Sequence, residues 1–134
     1  MLPVFPRRTI AVLATVDPAP HAIPVSAPVR ASDTRVLLSL HRSRDSLVRL
    51  RATPDVALTV LAEGDVAFTA RGTATVIEEP MAADAAYAAV AIDVEHVDDH
   101  RLPSFAVTGG VDREWTDASE QERLGARVSA LAGR

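Results

Sequence analysis

Regular patterning begins at Thr9–Val16 (TIAVLATV), a β-branched apolar run that stops at Asp17-Pro18-Ala19-Pro20. A short run of this kind, closed by prolines, predicts a strand and then a turn. His21–Val29 (HAIPVSAPV) resumes an extended pattern, but Pro24 and Pro28 have no N–H for a ladder, so this second strand is expected at a sheet edge or a bulge. Arg35–Leu40 (RVLLSL) predicts a third strand. It runs into a helix from about Arg44 to Ala52, with Ser43 as cap, Leu47, Val48 and Leu50 on one side, and Pro54 as its stop.

Asp55–Leu61 alternates, Glu63-Gly64-Asp65 turns, and Val66–Ile77 alternates again, which predicts a hairpin with Gly72 inside its long second arm. The alanine-rich stretch Ala82–Ala91 suits a short helix or a linker. Beyond it Val90, Ile92 and Val94 alternate with Ala91, Asp93 and Glu95, the pattern of a strand with one wet face. Phe105–Thr108 is a candidate for a last short strand. From Asp117 to Ala132, Asp117 precedes Glu120 as a loose capping box, and Leu124, Val128 and Leu131 fall at helical spacing. The sum is a mainly β chain: a six- to seven-stranded antiparallel barrel with a short helix after the third strand and a C-terminal helix.

Composition narrows the function. At 134 residues and 48% hydrophobic content the chain is expected to form one domain over residues 1–134. No apolar run or basic leader predicts a membrane span or export, so a soluble cytoplasmic protein is expected. Without cysteine there is no disulfide, thiolate metal site or thiol nucleophile, and without lysine there is no Schiff base. A net charge of −4 argues against nucleic acid as a partner.

Within this acidic chain His41, Arg42, Arg44, Arg49 and Arg51 crowd around the predicted helix start, opposed only by Asp45. Arginines beside a helix N-terminus, with Ser43 and Ser46, suit a phosphate; the same residues also suit a solvated face paired with surplus carboxylates. Glu95-His96-x-Asp98-Asp99-His100 places His96, Asp98 and His100 on one strand face, but the spacing fits no dedicated metal motif, and a polar strand end or a dimer contact is the expectation. Trp115, the only tryptophan, suits either an anchor for the last helix or a cover over a bound ring. No glycine-rich phosphate loop, GxSxG or HExxH is present.

From about Ile10 to His100 the chain resembles the pyridoxamine 5′-phosphate oxidase-like proteins. The resemblance rests on Leu13-Ala14-Thr15, Pro20–Val25 (PHAIPV), Leu50–Leu61 (LRATPDVALTVL) and Phe68–Ile77 (FTARGTATVI). It implies a split barrel acting as a homodimer, with FMN in grooves between the subunits and a small-molecule substrate on the flavin. Some branches use a deazaflavin or heme, and some have no known activity. Counting back from Pro54, the family's Ser-Arg-Lys phosphate triplet falls on Arg44-Asp45-Ser46, so an acid and a hydroxyl replace its basic pair. Phosphate would then fall to His41, Arg42, Ser43, Arg44, Ser46 and Arg49. By the same resemblance the flavin ring would meet Ile23, Pro24, Val25 and Ser26 and the strand end Ser39-Leu40, with Trp115 as a further contact. The implied activity is an FMN-dependent oxidoreductase or FMN-binding protein. The alternatives are a deazaflavin-dependent reductase of the same fold and a cofactor-free dimeric barrel. Vitamin synthesis itself is not expected, because true pyridoxamine phosphate oxidases are longer and carry basic motifs missing here.

Overall fold

The computed structural model describes residues 1–134. Its strands are β1 (Ile10–Thr15), β2 (His21–Ser26), β3 (Val29–Ser32), β4 (Arg35–His41), β5 (Asp55–Ala62), β6 (Val66–Glu78) and β7 (Tyr87–Asp99). Two helices, α1 (Asp45–Ala52) and α2 (Ala118–Ala132), complete it. All pairings are antiparallel, in the order β2-β1-β5-β6-β7-β4-β3.

That order forces the sheet to curl. The strands at its two edges, β2 and β3, are consecutive in the chain and separated only by Ala27-Pro28. One sheet edge must therefore come back beside the other, and the result is a split barrel of seven strands. The single extended run expected over His21–Val29 is accordingly two strands, broken where Ala27 adopts φ 50°. The predicted seventh strand at Phe105–Thr108 does not form. That region holds only an isolated Leu102–Phe105 bridge, and the seventh strand comes from the broken second run instead. The helix still follows Arg35–His41, which is now the fourth strand.

The main core fills the barrel. Leu13, Val36, Leu38, Leu58, Val60, Phe68, Val90 and Ile92 point inward, and α1 closes one end with Leu47 and Leu50. The N-terminal segment, which carries no periodic signal, also enters this core through Leu2 and Phe5, the latter 6.0 Å from the Phe68 ring. Arg30 fixes the segment by donating to the Leu2 carbonyl.

A second, smaller cluster lies outside the barrel wall, where Leu131 packs with Val29, Leu37, Met81, Ala89 and Ala91. It overturns the single wet face expected for the strand after the alanine-rich stretch. Ala88–Ile92 is buried on both faces, because α2 covers the outward alanines, and the wet face begins only at Asp93. Residues 82–86 form neither helix nor strand.

Candidate functional site

The split places the C-terminal half of β2 beside the C-terminal end of β4 without a ladder between them. A cleft of about 90 Å³ lies there, lined by Ile23, Pro24, Val25, Ser26, Ser39, Leu40, His41, Arg44, Tyr87 and Arg127. Ile23, Val25 and Leu40 belong to the barrel core, so this wall is rigid. As an edge strand β2 turns part of its backbone hydrogen-bonding groups away from β1, and Pro24 fits there without an N–H.

The predicted cationic cluster is mostly neutralised. Arg42 and Arg51 both pair with Glu79, at 3.3 Å and 2.5 Å, and the Arg51 hydrogen bond is the main reason that the Glu79 carboxyl lies below its ordinary range. Arg49 pairs with Asp45 at 2.6 Å, one helical turn away, and donates to the Ala19 carbonyl. Asp45 therefore presents a compensated charge. Arg44 has no carboxylate partner, and it is the residue of the cluster's arginines that reaches the cleft.

Ser43 does not cap α1. Its hydroxyl lies 2.7 Å from His41 Nδ1, and the N-cap position falls to Arg44, whose side chain makes no capping bond. The reason is that the turn after β4 folds Ser43 back over the His41 ring instead of across the helix end. The Ser46 hydroxyl is buried and has no hydrogen-bond partner.

Trp115 lies apart from the cleft, in a groove with Arg8, Val111, Asp112, Arg113, Gln121 and Leu124. Arg113 links the two places: it stacks 5.1 Å from the Trp115 ring and donates to Ser26 Oγ at 2.9 Å. His96, Asp98 and His100 form no metal-binding group. Asp98 serves Arg71 and His96, while His100 reaches Thr69.

Tyr87, Arg127 and Asp84 carry no sequence motif that marks them as site residues. Arg127 is 5% exposed although charged. It donates to Asp84 at 2.9 Å and Ser39 Oγ at 3.2 Å, and its guanidinium lies 3.5 Å above the Tyr87 ring. Arg123 supplies a second ion pair to Asp84, at 3.0 Å. Burial alone would raise the Asp84 carboxyl, but bonds from Arg123, Ala86 N–H and Arg127 outweigh it and hold the group below its ordinary value. The one available signal is a charge at Arg127 inside the apolar stripe of Leu124, Val128 and Leu131.

The comparisons with known proteins agree with a curled antiparallel split barrel. The family model described as pyridoxamine 5′-phosphate oxidase matches residues 1–123, and the chain belongs to the pyridoxamine 5′-phosphate oxidase-like family. No curated protein matches the chain in sequence. Among solved structures, General Stress Protein 26 from Bacillus anthracis is similar over 67% of this chain and 82% of its own, at 16% identity and a TM-score of 0.56. A FAD-binding protein from Mesorhizobium loti covers 66% of this chain and 83% of its own, at 18% identity and 0.55. An F420 reductase covers 70% and 92%, at 17% identity and 0.56. At these identities the likeness is one of fold.

Proposed function

We propose that the chain is a cytoplasmic, single-domain flavin-binding protein, working as a homodimeric FMN-dependent oxidoreductase on a small substrate. The observation that carries this reading is the cleft in the barrel split, where a core-backed wall meets Arg44, an arginine left without a carboxylate. The residues present fit the cofactor in kind. Arg44 and the first turn of α1 offer positive potential to a phosphate, with Asp45 compensated by Arg49. Pro24, Ser26, Ser39 and Leu40 offer an apolar face and polar groups to a flat ring. When bound, the flavin supplies the hydride chemistry; the protein's part is to orient it, shield it from water and leave one face open to substrate.

The cleft's volume supports a dimer. At about 90 Å³ it is well below the ~300 Å³ at which ligand pockets begin, so a flavin needs a further wall, which a second copy would supply. A deazaflavin is the second reading, since it too carries phosphate and the F420 reductase shares the fold. Titration of the purified protein with FMN and with F420, followed by absorbance, tests both. Uptake of one of them is expected, with FMN weakened about tenfold to a hundredfold in Arg44→Ala, the loss of one charged hydrogen bond. Failure to take up either cofactor would leave a cofactor-free barrel.

A further inference from the structure

We propose that Arg127 is a specificity-determining residue of the cleft, selecting ring ligands that present a carbonyl oxygen, and that Asp84 acts through it as a positioning residue. The inference rests on the flavin reading above and adds a contact from α2, at a position beyond the residues 1–123 matched by the family model. Arg127 lines the cleft while being almost wholly buried. Nη1 is held by Asp84, Nε by Ser39 Oγ, and the guanidinium face by Tyr87. These contacts fix the plane of the group. Nη2 donates to no acceptor within the protein and keeps contact with solvent, which leaves this held guanidinium free to donate to a ligand oxygen in the cleft. A site built around such a donor discriminates against ligands that leave it unpaired.

Asp84 is equally constrained. Its carboxylate is buried, accepts from Ala86 N–H inside its own turn, and takes Arg123 as a second partner. Removal of Arg127 therefore leaves no unpaired carboxylate, and a folded Arg127→Met variant is expected.

The experiment compares riboflavin with FMN. A contact to the ring weakens both ligands alike, whereas the phosphate contact at Arg44 affects FMN alone. Wild type, Arg127→Met, Arg127→Lys, Asp84→Asn and the double variant are titrated with each flavin, and the visible absorption of the bound flavin is recorded. Arg127→Met is expected to bind both flavins about tenfold or more weakly, with a displaced absorption band, and Arg127→Lys to recover part of the loss. Asp84→Asn is expected to weaken both less, and to add nothing in the Arg127→Met background. Wild-type affinity and spectrum in folded Arg127→Met, or an additive loss in the double variant, would overturn the inference. Should Arg127→Met fail to fold, an Arg127→Lys variant indistinguishable from wild type in both readouts does so instead. A wild type that binds neither flavin defeats the underlying functional reading, an outcome visible before any variant is made.

Discussion

At the scale of single residues, the tightest constraint on the barrel is Gly72. It sits at a register shift between β6 and β7, where an added Cβ would lie 2.0 Å from the Asp93 carbonyl oxygen and 3.0 Å from Val94 Cα. Both neighbours are backbone and cannot swing aside, so Gly72→Ala must part the strands. A cost of about 3 kcal/mol is expected, a fall of roughly 10 °C in melting temperature measured by circular dichroism. Melting within about 2 °C of wild type would show that the bulge relaxes freely. The sequence marks Gly72 as unusual inside an alternating strand, but not why. The clash comes from a residue some twenty positions away, which only the register brings near. The arginines show the same limit. Their clustering is visible in the sequence, yet Glu79 arrives from the end of β6 to neutralise Arg42 and Arg51, a pairing with no local trace.

Among the elements, α2 illustrates how a periodic signal can be right and still conceal its use. Its cap behaves as predicted on one side, with Asp117 accepting from Ser119 and Glu120 N–H, and its apolar stripe seats Leu131 against the barrel wall. What docks it besides is electrostatic: Asp84 holds Arg123 and Arg127 together. The Asp84 carboxyl lies below its ordinary 3.8 in the folded chain, so on acidification the unfolded chain takes up the proton first. The stabilisation is thus complete above about pH 4 and disappears as the pH falls through the folded value. Asp84→Asn should melt below wild type at pH 7, and the gap should narrow as the pH is lowered from 5 to 3 in thermal melts. A gap that stays constant over that range would mean that Asp84 keeps its proton affinity on folding and that the α2 dock is not ionic. Element boundaries elsewhere are legible wherever proline or glycine punctuates alternation. The break at Ala27-Pro28 looks like no more than an edge feature in the sequence, because the spacing of Ile23, Val25, Ala27 and Val29 continues across it, although Val29 packs outside the barrel whose core holds Ile23 and Val25.

For the whole molecule, the outer face of β1 and β5 is an exposed apolar surface. Ile10, Val12 and Ala14 share that face with Ala57, Thr59 and Leu61 through the register that pairs Val12 with Thr59. Val12 is 44% exposed and Leu61 47%, while α2 packs on the other wall, against β3 and β4. An apolar sheet face in water is a surface for association. In the proposed homodimer a second copy would cover it and would also add a wall to the small cleft. Sedimentation equilibrium should therefore return about twice the 14.2 kDa of one chain. Val12→Arg, which sets like charges against each other across a symmetric contact, should shift the protein to monomer while leaving its far-ultraviolet circular dichroism intact. The functional consequence follows from geometry: if the cleft needs its partner wall, the Val12→Arg monomer loses flavin uptake together with the dimer. A monomer that still binds flavin at wild-type affinity would show that one chain builds the whole site, and the second copy would then have no part in the cleft even if the flavin reading stood.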